Sequence, residues 1–71
     1  MDTPVSNLIK HISEALYQDK RTQKAVIEVG CNQGIVVLSG HVKSAAVIQA
    51  AEEIARSQPG VLSVVNELKV G

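Results

Sequence analysis

The sequence has almost no aromatic residues, one cysteine and no excess of charge of either sign. Tyr17 is its only aromatic residue, so a core has to be built from Val, Ile, Leu and Ala. Cys31 is its only cysteine, which excludes an internal disulfide. Seven basic residues balance seven acidic ones, so no net charge draws the chain to nucleic acid or to an anionic membrane. With 71 residues, the chain has room for a single small domain, residues 1–71.

Long apolar runs and targeting signals are missing as well. No uninterrupted apolar run is longer than four residues, which is too few to span a bilayer. Residues 1–5 lack the charged-then-apolar pattern of a signal peptide. We therefore expect no transmembrane segment and no leader. The end at Gly71, directly after the last predicted strand, is typical of a domain taken from a longer protein.

Two stretches carry apolar residues at helical spacing, each forming one apolar stripe. The first predicts a helix over residues 3–18, with Thr3 as its N-cap. The second predicts a helix over residues 45–57, with Ser44 as its N-cap. Gly60 follows it closely, where a glycine permits the chain to reverse into a strand.

Three segments rich in valine and isoleucine are predicted as strands: residues 25–31, 35–42 and 61–70. Asn32-Gln33 is the predicted turn between the first two, with Gly34 able to take a positive φ. A two-residue loop at that point places Val29 opposite Val36. Opposed residues share a face, so the face expected to form the core carries these residues: Ile27, Val29, Cys31, Val36 and Leu38.

The resulting order is α-β-β-α-β. A strand–helix–strand crossover makes the last two strands parallel. Two helices can cover only one face of a small sheet. The sequence therefore predicts a two-layer α/β (α+β) sandwich, with two helices packed on one face of a three-stranded mixed sheet.

The other face of that sheet has no predicted cover within the chain. It carries four apolar residues: Val26, Ile35, Val37 and Val65. An open apolar patch of this kind marks a contact surface, for a partner or for a weak homo-oligomer. The alternative is that these residues are ordinary β-formers on an exposed sheet.

A local basic cluster follows the first helix. Lys20, Arg21 and Lys24 lie close together in the predicted loop. Near an anionic surface each basic residue contributes about 1 kcal/mol, so the cluster could support weak attachment to phospholipid. The alternative interpretation is a solvated linker.

Catalytic and metal-binding patterns are not found in the sequence. His41 and Cys31 fall at opposite ends of the predicted hairpin, and His11 belongs to the first helix, so we expect no metal site. No base is placed to activate Cys31, and no phosphate loop or paired-carboxylate motif is present. We therefore expect no enzyme activity and no cofactor. Without a GxxG loop or an aromatic residue on a strand, we also expect no nucleic-acid binding.

The order and spacing of four short motifs resemble the BON domain, also called the transport-associated domain, of bacterial osmotic-shock and nodulation proteins. The motifs are Gly34 before the second strand, Leu38-Ser39-Gly40 within it, Gly60-Val61 before the last strand, and Asn66. The resemblance covers almost the whole chain. We expect structural roles for the three glycines and for Asn66, whose amide needs backbone partners, which we predict in a neighbouring turn.

The resemblance implies a non-enzymatic module that binds phospholipid or protein. It also implies a place in the periplasm or cell envelope, in envelope integrity, osmotic stress or transport. A cytoplasmic ligand-sensing regulatory domain is the alternative, because the sequence has no leader. A protein-interaction or oligomerisation module that uses the open sheet face is a further alternative.

Overall fold

The computed structural model describes residues 4–71, with side chains from residue 8 onward. The elements in chain order are α1 (Pro4–Gln18), β1 (Glu28–Asn32), β2 (Ile35–Val42), α2 (Ala45–Arg56) and β3 (Ser63–Val70). The predicted order α-β-β-α-β is confirmed. Thr3, the predicted N-cap of α1, lies outside the described residues. Ser44 is the N-cap of α2, but its side chain makes no capping hydrogen bond.

Two strands begin later than the sequence predicts, because turns occupy the residues in front of them. The first begins at Glu28 and not at residue 25, since the amide of Ala25 still donates to the Thr22 carbonyl across 3.0 Å. The last begins at Ser63 and not at residue 61, since the amide of Val61 still donates to the Gln58 carbonyl across 3.3 Å.

The sheet has the order β1-β2-β3, with β2 in the middle. β1 pairs with β2 antiparallel, and β2 pairs with β3 parallel through the crossover helix α2. The predicted mixed sheet and the parallel pair are therefore confirmed. The parallel register sets Ile35 beside Ser63 and Val42 beside Val70.

The register of the hairpin differs from the prediction by two residues. Val29 lies opposite Leu38, not opposite Val36. The turn consists of Gln33 and Gly34, which both have positive φ, 53° and 84°. Positive φ at both central residues is the geometry that two-residue hairpins prefer, because its twist matches the strands. Since side chains alternate with a period of two, this shift leaves every paired residue of the hairpin on its predicted face.

Both helices pack on the same face of the sheet and enclose an aliphatic core. Its buried residues are Leu8, Ile12, Leu16, Val36, Leu38, Val42, Ala51, Ile54, Ala55 and Leu68. The other predicted core residues, Ile27, Val29 and Cys31, pack against this core but remain half-buried. β1 is an edge strand, so the helices cover it less completely than β2.

Asn66 joins β3 to α2. Its side-chain amide donates to the Ile48 carbonyl of α2 at 3.1 Å, and its side-chain oxygen accepts from the Leu68 amide at 3.1 Å. Its partners are backbone groups, as predicted, but they belong to the helix and the strand and not to a turn. A half-buried amide with both ends bonded holds the two layers together.

Candidate functional site

The loop that follows α1 is held by hydrogen bonds along its backbone and by one buried side chain. The Asp19 carbonyl accepts from the amides of Thr22 at 3.0 Å and Gln23 at 2.8 Å. Thr22 is 1% exposed, and its hydroxyl donates to the Leu16 carbonyl near the end of α1. Burial of this one hydroxyl, paired with a helix carbonyl, gives the basic loop a defined shape. Nothing in this polar run of residues indicates that Thr22 is buried.

Arg21 is engaged in ion pairs within the protein. Its guanidinium binds the Asp19 carboxylate at two points, each 3.1 Å, and the Glu53 carboxylate of α2 at 3.3 Å. The side-chain hydrogen bond from Arg21 lowers the pKa of Asp19, and the same bond raises the pKa of Arg21. Of the three predicted basic residues, Arg21 is therefore the one whose charge is already compensated.

A groove of about 340 Å³ lies beside this loop, and we call it the basic groove. It is lined by Lys20, Arg21, Lys24, Ala25, Val26, His41, Val42, Lys43 and Val47. Aliphatic side chains from the loop, β2 and α2 line part of it, and basic side chains line the rest. No ion pair among the described residues involves Lys20, Lys24 or Lys43. The three ammonium groups are therefore available to an anion.

Lys43 is a groove residue that the sequence prediction missed. It follows β2 directly, 19 positions after Lys24. The antiparallel hairpin brings the end of β2 beside the residues that precede β1, which is how Lys43 reaches the groove. Gly40 allows this approach, because a Cβ there would lie 2.7 Å from the Val26 carbonyl oxygen and its φ is +134°. The hairpin prediction could have placed Lys43 at this end of the sheet.

A second hollow, of about 370 Å³, lies next to the basic groove, and we call it the Tyr17 hollow. It is lined by Ser13, Leu16, Tyr17, Thr22, Gln23, Lys24, Ala25, Val26 and Ile27. Residues 24–26 line both depressions and so form the ridge between them. Val26 is 83% exposed on this ridge, and Tyr17 is 74% exposed.

The open sheet face brings three of its four predicted residues together. Val37 pairs with Val65 in the parallel register, and Ile35 lies two residues along β2 on the same face. Ile35 is 43% and Val65 is 42% exposed, while Val37 is half-buried. Val26 precedes β1 and lines the basic groove instead. We refer to Ile35, Val37 and Val65 as the open-face patch.

Two further predicted motif residues and the single cysteine lie away from the basic groove. Gly34 forms part of the hairpin turn, and Gly60 has a φ of +92° just before β3. Cys31, opposite Val36, is half-buried against the core. In the described part of the chain, His, Cys, Asp and Glu side chains do not gather in groups of three or more that could hold a metal ion.

The helices described in residues 4–71 include none with the length and apolar character needed to cross a membrane.

The family model of the BON domain matches residues 4–71, which is the whole of the described chain. A search of curated proteins found no match. BON domains are generally non-enzymatic binding modules, with lipid or protein as the partner that the family suggests.

Proposed function

The chain belongs to the BON domain family, and we propose that it binds the surface of anionic phospholipid membranes through the basic groove. The observation that carries the proposal is the meeting of Lys20, Lys24 and Lys43 around one groove with an apolar lining. BON domain proteins are often associated with the bacterial envelope, which supports the same kind of partner. We include in the proposal a non-catalytic role at the cell envelope, in osmotic stress or transport.

The charges set the expected strength of this binding. Each lysine near an anionic surface contributes about 1 kcal/mol, so three of them give weak and reversible attachment. Arg21 should add less than a lysine, because Asp19 and Glu53 already bind its guanidinium. Since the net charge of the chain is zero, the attraction has to come from this local arrangement and should be screened by salt.

Co-sedimentation with vesicles tests the proposal. The chain should sediment with phosphatidylglycerol vesicles at low salt and dissociate from them at high salt. It should not sediment with phosphatidylcholine vesicles. Lys24→Gln should weaken binding about fivefold, and Arg21→Gln should weaken it less. Failure to bind phosphatidylglycerol at low salt, or equal binding to both lipids, would remove the proposal.

A second candidate function is protein binding through the open-face patch. The register sets Val37 beside Val65, with Ile35 on the same face. The three residues therefore form one contiguous apolar patch, which favours this function. Val37→Lys should then abolish self-association or partner capture while the domain stays folded. Sedimentation velocity at high protein concentration, together with a pull-down, measures both. A wild-type chain that remains monomeric and captures nothing would count against this function.

A further inference from the structure

Two exposed apolar side chains stand beside the basic groove without a role in the fold. Val26 is 83% exposed and Tyr17 is 74% exposed. Neither belongs to the buried core, and Tyr17 is the only aromatic residue in the sequence. An exposed valine alone is ordinary, but Val26 lies on the same ridge as Lys24, and Tyr17 lines the hollow on one side of that ridge.

The two depressions form a continuous surface of mixed character. The Tyr17 hollow supplies the aromatic ring on one side of the ridge, and the basic groove supplies the ammonium groups on the other. A tyrosine presents an apolar ring and a polar hydroxyl, which suits the boundary between headgroups and acyl chains. Lysines can lay their methylene chains along apolar surface while the ammonium groups stay with phosphates.

We propose that this end of the molecule docks on an anionic bilayer with Val26 and Tyr17 inserted at the level of the headgroups. The inference rests on the proposed function and adds its orientation and its apolar anchors. Lys20, Lys24 and Lys43 surround the inserted side chains and contact lipid phosphates. Val26 is the more exposed of the two and enters first, and the Tyr17 ring follows.

A bilayer explains this surface better than a soluble anion does. Lysines alone would suffice for a free phosphate, and exposed apolar side chains would add nothing to its binding. In a bilayer, burial of one valine side chain contributes about as much to binding as one lysine at the surface does. Charge and apolar burial together are the combination that peripheral attachment requires.

Tryptophan fluorescence tests the orientation directly, because the wild-type chain contains no tryptophan. Tyr17→Trp provides a single reporter at the proposed docking surface. On phosphatidylglycerol vesicles its emission should shift to the blue, and lipids brominated near the headgroup should quench it. Leu62→Trp is the matched control, because Leu62 is 81% exposed and lines neither depression. Its emission should not shift when the chain is bound.

The outcomes separate this inference from the proposed function. If Tyr17→Trp sediments with the vesicles but shows neither shift nor quenching, the insertion is wrong and the lipid-binding function stands. If Leu62→Trp responds equally, the orientation is wrong. If neither chain sediments, both ideas fail.

A pair of charge-matched variants gives a second measurement. Val26→Asp should weaken binding to phosphatidylglycerol vesicles by about tenfold or more, because it removes an anchor and adds a negative charge at the surface. Leu62→Asp adds the same charge elsewhere and should weaken binding by about twofold or less. Equal losses in the two variants would contradict the inference.

Discussion

The two ends of the sheet each expose an aliphatic side chain to about the same extent, yet they differ completely in charge. At one end, which we call the basic end, Val26 is 83% exposed beside the lysines of the basic groove. At the other, the hairpin end, Leu62 is 81% exposed beside the Gln33–Gly34 turn. Residues 30–37 and 57–65, which build the hairpin end, contain no charged residue. Exposure alone therefore does not distinguish the two ends, whereas exposure beside the lysines of the basic groove does.

The difference between the two ends can first be tested at two glycines, one in each end. Gly40 has φ +134°, and a Cβ there would lie 2.7 Å from the Val26 carbonyl oxygen, a backbone atom that cannot easily move. Gly40→Ala should therefore lower the free energy of unfolding by about 3 kcal/mol and displace the ridge at the basic end.

Gly34 is the matching position at the hairpin end. A Cβ there would meet the Leu62 side chain at 2.8 Å, but that side chain is exposed and can turn away. With φ +84°, Gly34→Ala should cost about 1–2 kcal/mol, which is the penalty for a left-handed residue. Urea unfolding of both variants measures the difference. If Gly34→Ala lowers the free energy of unfolding as much as Gly40→Ala does, the close approach of Gly40 to the Val26 carbonyl contributes no additional cost at the basic end.

Asn66 allows an effect on stability to be measured apart from an effect on binding, because it joins β3 to α2 and lines neither the basic groove nor the Tyr17 hollow. Asn66→Ala leaves the Leu68 amide without its side-chain partner and removes the bond to the Ile48 carbonyl. It should reduce the free energy of unfolding by about 2 kcal/mol, while vesicle binding by the folded chain is unchanged. Asn32→Ala, at an exposed position, should cost about 0.5 kcal/mol or less. A loss of vesicle binding in folded Asn66→Ala would contradict the assignment of the site.

Acid should lower the stability of the folded chain through a carboxylate of the basic end, Asp19, whereas the hairpin end has no charged residue to titrate. The hydrogen bond from Arg21 lowers the pKa of Asp19 in the folded chain. A lowered pKa adds stability that is fully present above the unfolded value, about 3.9, and is lost as the pH falls through the folded value. Below about pH 4, the wild type should therefore lose stability more steeply than Asp19→Asn. Thermal unfolding over a pH series measures both curves, and parallel curves would rule out this contribution.

The smallest effect is expected from the ion pair on the exposed side of α2. Arg56 and Glu52 approach to 3.6 Å at helical spacing. Glu52→Gln should change the free energy of unfolding by about 0.3 kcal/mol. It should leave vesicle binding unaltered, because neither residue lines the basic groove. A change above about 1 kcal/mol would show that α2 depends on this pair more than exposed pairs normally allow.

The fold could be predicted from the sequence because periodicity and turn chemistry agree along the chain. The hairpin register was wrong by two residues, yet the faces were right, since Val36 and Leu38 stay on the core side under a shift of two. The strand starts at 25 and 61 were wrong because the apolar pattern continues through turns. Periodicity reports which side chains can be buried, not which backbone groups pair.

The candidate site could be predicted only in part, because it depends on contacts between distant segments. The local basic cluster marks Lys20 and Lys24, but Lys43 reaches them only through the hairpin. Arg21 looks equivalent to its neighbours in the sequence, and only the fold brings Glu53 of α2 to it. The alternation of side chains along a strand would place Val26 on the open face. It precedes the first paired residue, however, and lines the basic groove instead.

The most direct test of the account compares two double variants with the same net charge. Lys24→Gln with Lys43→Gln removes two charges from the basic groove, and Lys10→Gln with Arg56→Gln removes two from outside it. On phosphatidylglycerol vesicles, the first should weaken binding by about thirtyfold and the second by about threefold or less. Equal weakening by the two double variants would contradict the assignment of membrane binding to the basic end.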